Sequence, residues 1–172
     1  DMGFLDTQFA FQFQKKKEIT EKGFDEVECF VSLNPGEPLR ALREVGSGGE
    51  LSRIMLSIKT VLADTDAVPT LIFDEIDTGI SGRTAEKVGE KLQKIAAKHQ
   101  VILITHLPQI AAKADRHFLI EKNVVDGKTK TEIHALSEEE SVEELARLLG
   151  GKDLTEEALQ NARSLKKKAE RK

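Results

Sequence analysis

The stretch TLIFDE, residues 70–75, decides the fold, because a short apolar run that ends in two acids is typical of a strand buried in a parallel sheet. A second run of this kind, VILI at residues 101–104, ends in Thr105 and His106. Between the two runs, residues 84–98 carry apolar side chains at helical spacing. Strand, helix and strand in this order predict a right-handed βαβ unit, so we expect an α/β fold with a parallel sheet core.

Upstream of this unit, the pattern predicts a small antiparallel sheet and one helix. Residues 9–14 and 27–33 alternate apolar and polar side chains, and the run Lys15–Lys17 with Gly23 predicts the turn between the two strands. From Leu51 the apolar residues recur at helical spacing, which predicts a helix that ends near Asp64.

Downstream, the sequence predicts a hairpin and helices that flank the sheet. Leu107-Pro108 favours a helix start directly after His106, since proline suits the first helical position. Residues 116–122 and 129–136 alternate around Asp126-Gly127, which favours a hairpin turn. Two helices follow, at 138–149 and 154–170. We therefore expect residues 1–172 to form a single lobe.

The amino-acid composition limits the kinds of molecule and environment that suit this chain. Lys and Arg total 26 against 30 Asp and Glu, and the chain has 8 Phe but no Trp or Tyr, so coating DNA by charge or by base stacking is disfavoured. No run of about 18 apolar residues predicts a membrane helix. The single cysteine, Cys29, excludes an intramolecular disulfide and a cysteine-based zinc cluster. These features favour a reducing cytoplasm.

The C-terminal tail is the exception to this charge balance. Its basic residues suit a helix C-terminus or a solvated face, and a DNA contact is the alternative. They are Arg163, Lys166, Lys167, Lys168, Arg171 and Lys172.

Asp74 and Glu75 stand where ligands bind in open parallel sheets, outside the carboxyl end of a strand. In phosphoryl transfer, one acid of such a pair holds Mg²⁺ and the other orients the attacking water. Strand alternation directs the two side chains differently, so they need not share one role. The structural alternative is that both simply cap the strand.

Two further features of the sequence predict a binding site at the same edge of the sheet. His106 ends the second strand, where it could contact a terminal phosphate or serve only the structure. In Gly46-Ser47-Gly48-Gly49-Glu50, Ser47 and Glu50 form an S-x-x-E capping box. A helix that begins with bare glycine amides also suits an anion, so a cap and a phosphate cradle are compatible.

Taken in order, these motifs resemble the ATP-binding-cassette ATPases of the chromosome-maintenance (SMC) type. Residues 47–50 look like the signature motif, residues 71–75 like the Walker B strand, Ile76-Asp77-Thr78-Gly79 like the D-loop, and His106 like the switch histidine. Longer blocks at 47–56, 73–83 and 105–111 resemble the RecN family of bacterial DNA repair proteins. The fold so implied is the C-terminal half of an ATPase head.

The resemblance implies roles for individual residues. Ser47, Gly48 and Gly49 would contact the γ-phosphate held by a second head, and Asp77 would couple the two heads. The implied cofactors are ATP and Mg²⁺, with Asp74 as the metal ligand. The implied catalytic residues are Glu75, which would activate water, and His106. The implied cofactor-binding residues are Ser47, Gly48, Gly49, Glu50, Asp74 and Asp77.

The chain carries no G-x-x-x-x-G-K-[ST] phosphate loop and no long heptad segment. In the families it resembles these lie upstream, so the expected partners are an N-terminal Walker A lobe, a second head in an ATP-dependent homodimer, and DNA held mostly elsewhere. Alone, the chain should hydrolyse essentially no ATP. The expected location is the bacterial cytoplasm at the nucleoid, with no membrane contact.

Two alternatives remain open at this stage. One is a head lobe of another SMC-type ATPase, although such heads usually carry Ala-Ala-Leu-Asp after the D-loop aspartate, unlike residues 77–83. The other is a non-catalytic module that bridges DNA or proteins. Such a module would need none of Asp74, Glu75 and His106.

Overall fold

The computed structural model describes residues 2–63, 65, 67–125, 127–151 and 154–170. The strands are β1 (Gln8–Thr20), β2 (Gly23–Ser32), β3 (Arg40–Ala41), β4 (Thr70–Phe73), β5 (Gln100–Leu103), β6 (Phe118–Val125) and β7 (Lys128–Ala135). The helices are α1 (Gly48–Leu62), α2 (Gly82–Ala96), α3 (Pro108–Ala111), α4 (Glu138–Gly150) and α5 (Glu156–Glu170), and a 3₁₀ turn spans Leu42–Glu44. Parts of three predictions, the helix end at Asp64, the hairpin turn at Asp126 and the basic tail at Arg171 and Lys172, lie outside the described residues.

Strand pairing confirms the predicted α/β class. β4 and β5 are parallel, with Ile72 opposite Ile102, and α2 connects them. β1, β2 and β3 form an antiparallel sheet, and β6 pairs with β7 in an antiparallel hairpin. The predicted helix after His106 is a single turn, α3, with Pro108 at its start.

The first hairpin differs from its prediction. Lys15–Lys17 do not form the turn; they lie inside β1, which continues to Thr20. The chain reverses between Thr20 and Gly23, where Gly23 has a φ of 94°, and the register shifts between Lys15 and Thr20. Three consecutive lysines stay extended because an exposed edge strand tolerates charge while its backbone pairs with β2.

The main core lies between the parallel pair and the helices α1 and α2. Its buried apolar side chains come from β4, from the helices and from adjoining loops: Met2, Leu56, Leu71, Phe73, Ile76, Ala85, Val88, Leu92, Ile95 and Ile110. Val101 and Leu103 of β5 are partly buried against it. A smaller cluster of Val31, Leu33 and Ile54 joins β2 to α1. These contacts fix α1 against both sheets, which determines where its N-terminus points.

The other face of the parallel pair is uncovered. The exposed fraction is 74% for Ile72, 47% for Ile102 and 59% for Ile104. The prediction that this sheet is covered on both faces is therefore wrong within the described residues. The β1–β2 hairpin likewise exposes Phe9, Phe11 and Phe13 along one face.

The C-terminal helices pack beside α2 and α3. Ala111, Ala112, Leu145, Ala146, Ala158 and Ala162 form their shared core. The Gln93 side chain donates to the carbonyl of Ala169 at 3.1 Å, which fastens α5 onto α2. Ser137 and Glu140 form a complete capping box at the start of α4. Over the described ranges, no helix is long and apolar enough to cross a bilayer.

Candidate functional site

Three sequence motifs meet at one edge of the parallel sheet. Asp74 and Glu75 follow β4, and Thr105 and His106 come shortly after β5. The N-terminus of α1 lies at the same edge, because α1 runs away from this edge and β4 returns to it. The structure thus brings the S-G-G-E motif, the acid pair and the histidine together.

Ser47 begins α1 as its N-cap residue. Its hydroxyl accepts the N–H of Glu50 at 3.4 Å, but the Glu50 side chain does not accept the N–H of Ser47, so the predicted capping box is only half formed. Glu50 acts electrostatically on Arg53, one turn further along the helix. The amides of the first helical turn remain oriented toward the edge of the sheet, where an anion is favoured.

Glycine is required at position 49 by close packing. A Cβ there would lie 2.8 Å from the carbonyl oxygen of Glu75 and 2.9 Å from that of Thr78. At position 48 a Cβ would lie 2.1 Å from Oε2 of Glu75, so this carboxylate rests against the Cα of Gly48. The first turn of α1 therefore sits directly on the residues that follow β4.

The acids differ in conformation. Oδ1 of Asp74 accepts the N–H of Glu75 at 2.9 Å. Glu75 has a φ of 55°, the one positive value among the described residues other than glycine. Left-handed backbone at such a residue costs free energy and is found preferentially at functional sites. Both side chains are exposed.

Asp77 is buried and connects the two strand ends. Its Oδ2 accepts the hydroxyl of Thr105 at 2.6 Å and the N–H of His106 at 2.9 Å, and it lies 3.0 Å from Nδ1 of His106. The His106 ring itself is mostly exposed. The prediction that Asp77 couples two heads stays a prediction, because these contacts engage the carboxylate within its own chain.

Ser52 and Arg53 are site residues that the sequence analysis missed. The Ser52 hydroxyl donates to the carbonyl of Asp74 at 2.7 Å, and Nη1 of Arg53 donates to the carbonyl of Thr78 at 2.8 Å. Burial lowers the pKa of Arg53, and Glu50 opposes that shift. A charged residue beside the apolar stripe of α1 was the available signal.

Asp74 is the one side chain that the sequence analysis assigned to a metal ion. Among the residues described, no three His, Cys, Asp or Glu side chains converge to hold a metal ion. Mg²⁺ usually keeps several waters and takes only one or two protein carboxylates beside substrate phosphates. The exposed carboxylate of Asp74 fits such a site, since the N–H of Glu75 engages only Oδ1.

Two lysines of the described part of the basic tail pair with acids of the same chain. Lys166 lies 2.8 Å from a carboxylate oxygen of Glu138, and its side chain is only 15% exposed. Lys168 pairs with Glu86 at 2.6 Å, which lowers the pKa of Glu86 through a side-chain hydrogen bond. A DNA contact through Lys166 or Lys168 would therefore have to displace Glu138 or Glu86.

Sequence comparison finds several similar proteins. The chain is 47% identical over 163 residues to the DNA repair protein RecN of Halalkalibacterium halodurans, which covers 92% of this chain and 29% of the relative. It is 48% identical over 159 residues to RecN of Vibrio cholerae, with 92% and 29% covered. The resemblance to RecN is confirmed. The chain spans under a third of the length of these RecN relatives.

Structure comparison concerns the fold alone. The chain resembles the Smc head domain with a coiled coil and joint from Pyrococcus yayanosii, with a TM-score of 0.56 and 22% identity over 81% of this chain and 25% of that one. This likeness confirms the predicted fold of an SMC-type head, while the RecN relatives carry the sequence similarity. No family model matches the chain.

Proposed function

We propose that this chain is the C-terminal lobe of the ATP-hydrolysing head of a RecN-like protein that acts in repair of DNA double-strand breaks. The observation that carries this proposal is the convergence of the α1 N-terminus, Glu75 and His106 at one sheet edge. Two contacts hold them there: Gly48 lies against the Glu75 carboxylate, and Asp77 binds His106.

Each side chain has a role that its position supports. The Glu75 carboxylate accepts a proton from the attacking water, and the exposed His106 ring contacts the γ-phosphate. Asp74 holds Mg²⁺, which when bound neutralises charge on the β- and γ-phosphates. Because phosphoryl transfer needs little covalent chemistry from the protein, the site works by positioning and by charge stabilisation.

The nucleotide facing α1 belongs to a second head in this proposal. Ser47 and the amides of Gly48 and Gly49 contact its γ-phosphate, so that two heads enclose two ATP molecules. Hydrolysis then separates the heads and changes how the rest of the protein holds DNA. The protein acts at the nucleoid, in the bacterial cytoplasm.

The rest of the head lies upstream in this proposal. The exposed face formed by Ile72, Ile102 and Ile104 is apolar, and burying apolar area is favourable by about 25 cal/mol per Å². A Walker A lobe that covers this face would supply the phosphate loop missing from the sequence. The lone chain is therefore expected to bind ATP poorly and to hydrolyse none.

The test is steady-state ATP turnover of the full-length protein, with the lone chain as control. Glu75→Gln in the full-length protein should lower kcat by about 100-fold or more while ATP binding is retained. Wild-type turnover that rises with protein concentration would support a dimer of heads. Unchanged turnover in Glu75→Gln would remove Glu75 from the proposed role, and no wild-type turnover despite bound ATP would favour a bridging module.

A further inference from the structure

Two adjacent side chains of α1 hold the turn that follows β4. We call residues 74–78 the acid turn. The hydroxyl of Ser52 donates to the carbonyl of Asp74 at 2.7 Å, at one end of this turn. Nη1 of Arg53 donates to the carbonyl of Thr78 at 2.8 Å and, more weakly, to that of Ile76 at 3.4 Å, at the other end.

The environment of Arg53 makes this contact specific. Arg53 is only 4% exposed, and its guanidinium lies over the ring of Phe4 at 5.3 Å. A buried charge is tolerated only where polar groups compensate it, and here backbone carbonyls of the acid turn provide that compensation. The turn cannot move away from α1 without leaving the cation unpaired.

The acid turn also needs external support. Its residue Glu75 has left-handed backbone at a φ of 55°, and within the turn the N–H of Thr78 donates to the carbonyl of Glu75 at 2.9 Å. Strained backbone of this kind persists where surrounding contacts determine it. Ser52 and Arg53, together with the close packing of Gly49, supply those contacts.

We propose that Ser52 and Arg53 are positioning residues that clamp the acid turn onto α1, so that the helix whose N-terminus meets the partner head's nucleotide also sets the position of Glu75 in its own head. This inference rests on the proposed function. The link continues to the histidine, because Asp77 in the same turn binds His106. When the N-terminus of α1 in one head binds the partner's nucleotide, the position of the Glu75 carboxylate in that same head changes with it.

The kinetic test uses the full-length protein with Ser52→Ala and Arg53→Lys. Lysine keeps the charge but replaces the planar guanidinium, which lies over Phe4 and donates to Thr78, by a compact ammonium on a different stem. We expect kcat to fall at least about tenfold in both variants, with KM for ATP within about twofold and ATP-driven dimerisation retained. The matched control is Ser57→Ala, because the Ser57 hydroxyl donates only to the carbonyl of Arg53 within α1, at 2.9 Å.

The second readout does not depend on hydrolysis. Amide hydrogen exchange at Thr78, measured without nucleotide, reports opening of the acid turn. Ser52→Ala should speed exchange at this amide about tenfold or more, whereas Ser57→Ala should leave it unchanged. Because Ser52 is not buried, this variant should fold even if Arg53→Lys does not.

The two readouts separate the two proposals. If wild-type protein hydrolyses no ATP, the proposed function fails, and exchange at Thr78 still decides the clamp. Unchanged exchange at Thr78 in Ser52→Ala would overturn the clamp. So would a wild-type kcat in this variant, or an equal effect of Ser57→Ala.

Discussion

A single carboxylate oxygen of Asp77 binds both the backbone N–H and the ring of His106, at 2.9 and 3.0 Å. A carboxylate can only accept, so Nδ1 carries the ring proton that faces Asp77 and Nε2 remains directed away from it. Asp77 thus fixes the orientation of the His106 ring inside one chain. A role for Asp77 across two heads would have to act through this contact.

Asp77→Asn should release the ring. The amide keeps one acceptor oxygen but loses the negative charge that strengthens the contacts of Thr105 and His106 with Oδ2, so we expect the ring contact to weaken and stability to fall by about 1–2 kcal/mol. Nitrogen-15 NMR should show that the His106 ring no longer holds the Nδ1–H form. Thr105→Val, which removes only one donor to Asp77, is the control and should leave the ring as it is. An unchanged ring in Asp77→Asn would contradict the assignment.

Alanine at positions 48 and 49 should have different effects. At position 49 the new Cβ meets backbone carbonyl oxygens at 2.8 and 2.9 Å, so Gly49→Ala should destabilise the chain by about 1–3 kcal/mol. At position 48 it meets only the flexible end of Glu75, so stability should change by less than about 1 kcal/mol while the carboxylate is displaced. Urea denaturation measures both, and equal losses would be inconsistent with this packing.

Ser47→Arg should block ATP-driven dimerisation of the full-length protein while sparing ATP binding to one head. The long cation would occupy the space between α1 and the partner's nucleotide. Ser47→Ala is the comparison for size, because it removes the cap to Glu50, a contact of 3.4 Å worth about 1 kcal/mol or less, and the proposed phosphate contact without adding bulk. It should weaken the dimer without blocking it. Sedimentation with ATP compares them, and a normal dimer of Ser47→Arg would count against the trans arrangement.

His117 should make stability depend on pH. Its Nδ1 lies 2.9 Å from the Ser141 hydroxyl, and burial lowers the pKa of His117, with Glu144 opposing. The unfolded chain then binds the proton more readily, so stability should fall as pH drops below about 6.5, by a few tenths of a kcal/mol given partial exposure. His117→Gln should reduce the change in the urea midpoint between pH 6.5 and pH 5. His134→Gln, at a half-exposed histidine, should leave that change as it is.

The tail lysines should contribute little to DNA binding. Each lysine that contacts a phosphate contributes about 1 to the slope of log K for DNA binding against log salt concentration. Lys166→Gln and Lys168→Gln should each change this slope by clearly less than about 1. Both lysines already pair with acids, Glu138 and Glu86. Lys167→Gln, at an exposed neighbouring lysine, tests the solvent-facing side of α5 for comparison. A full unit lost with Lys166→Gln would show that DNA displaces Glu138.

Local pattern predicted most of the elements. The apolar runs at 70–75 and 101–104 predicted the parallel pair because buried parallel strands leave a plain composition signal. The prediction of a turn at the lysine run was wrong, since composition favoured a turn there while Lys15 pairs with Asp25 and the strand continues to Thr20. The open face at Ile72 was beyond a pattern argument, because a buried-type strand looks the same whichever chain segment covers it.

The site was partly predictable for a similar reason. Strand ends and a capping motif reveal residues such as Glu75, His106 and Ser47 by their neighbours in sequence. Arg53 and Ser52 bind backbone carbonyls more than twenty positions away, and a carbonyl has no residue type that a pattern can detect. The left-handed conformation of Glu75 was equally hidden, since only glycine or asparagine would have suggested it.

The backbone of Glu75 carries an evolutionary consequence. Its left-handed conformation costs about 1–2 kcal/mol for a residue with a side chain, and glycine would remove that cost against about 0.5–1 kcal/mol of added chain entropy. Mutational drift under selection for stability alone would therefore gain nothing by holding a glutamate here. Under the proposed function, Glu75 marks a trade-off in which thermodynamic stability yields to reactivity, and variants selected only for heat resistance should lose it early.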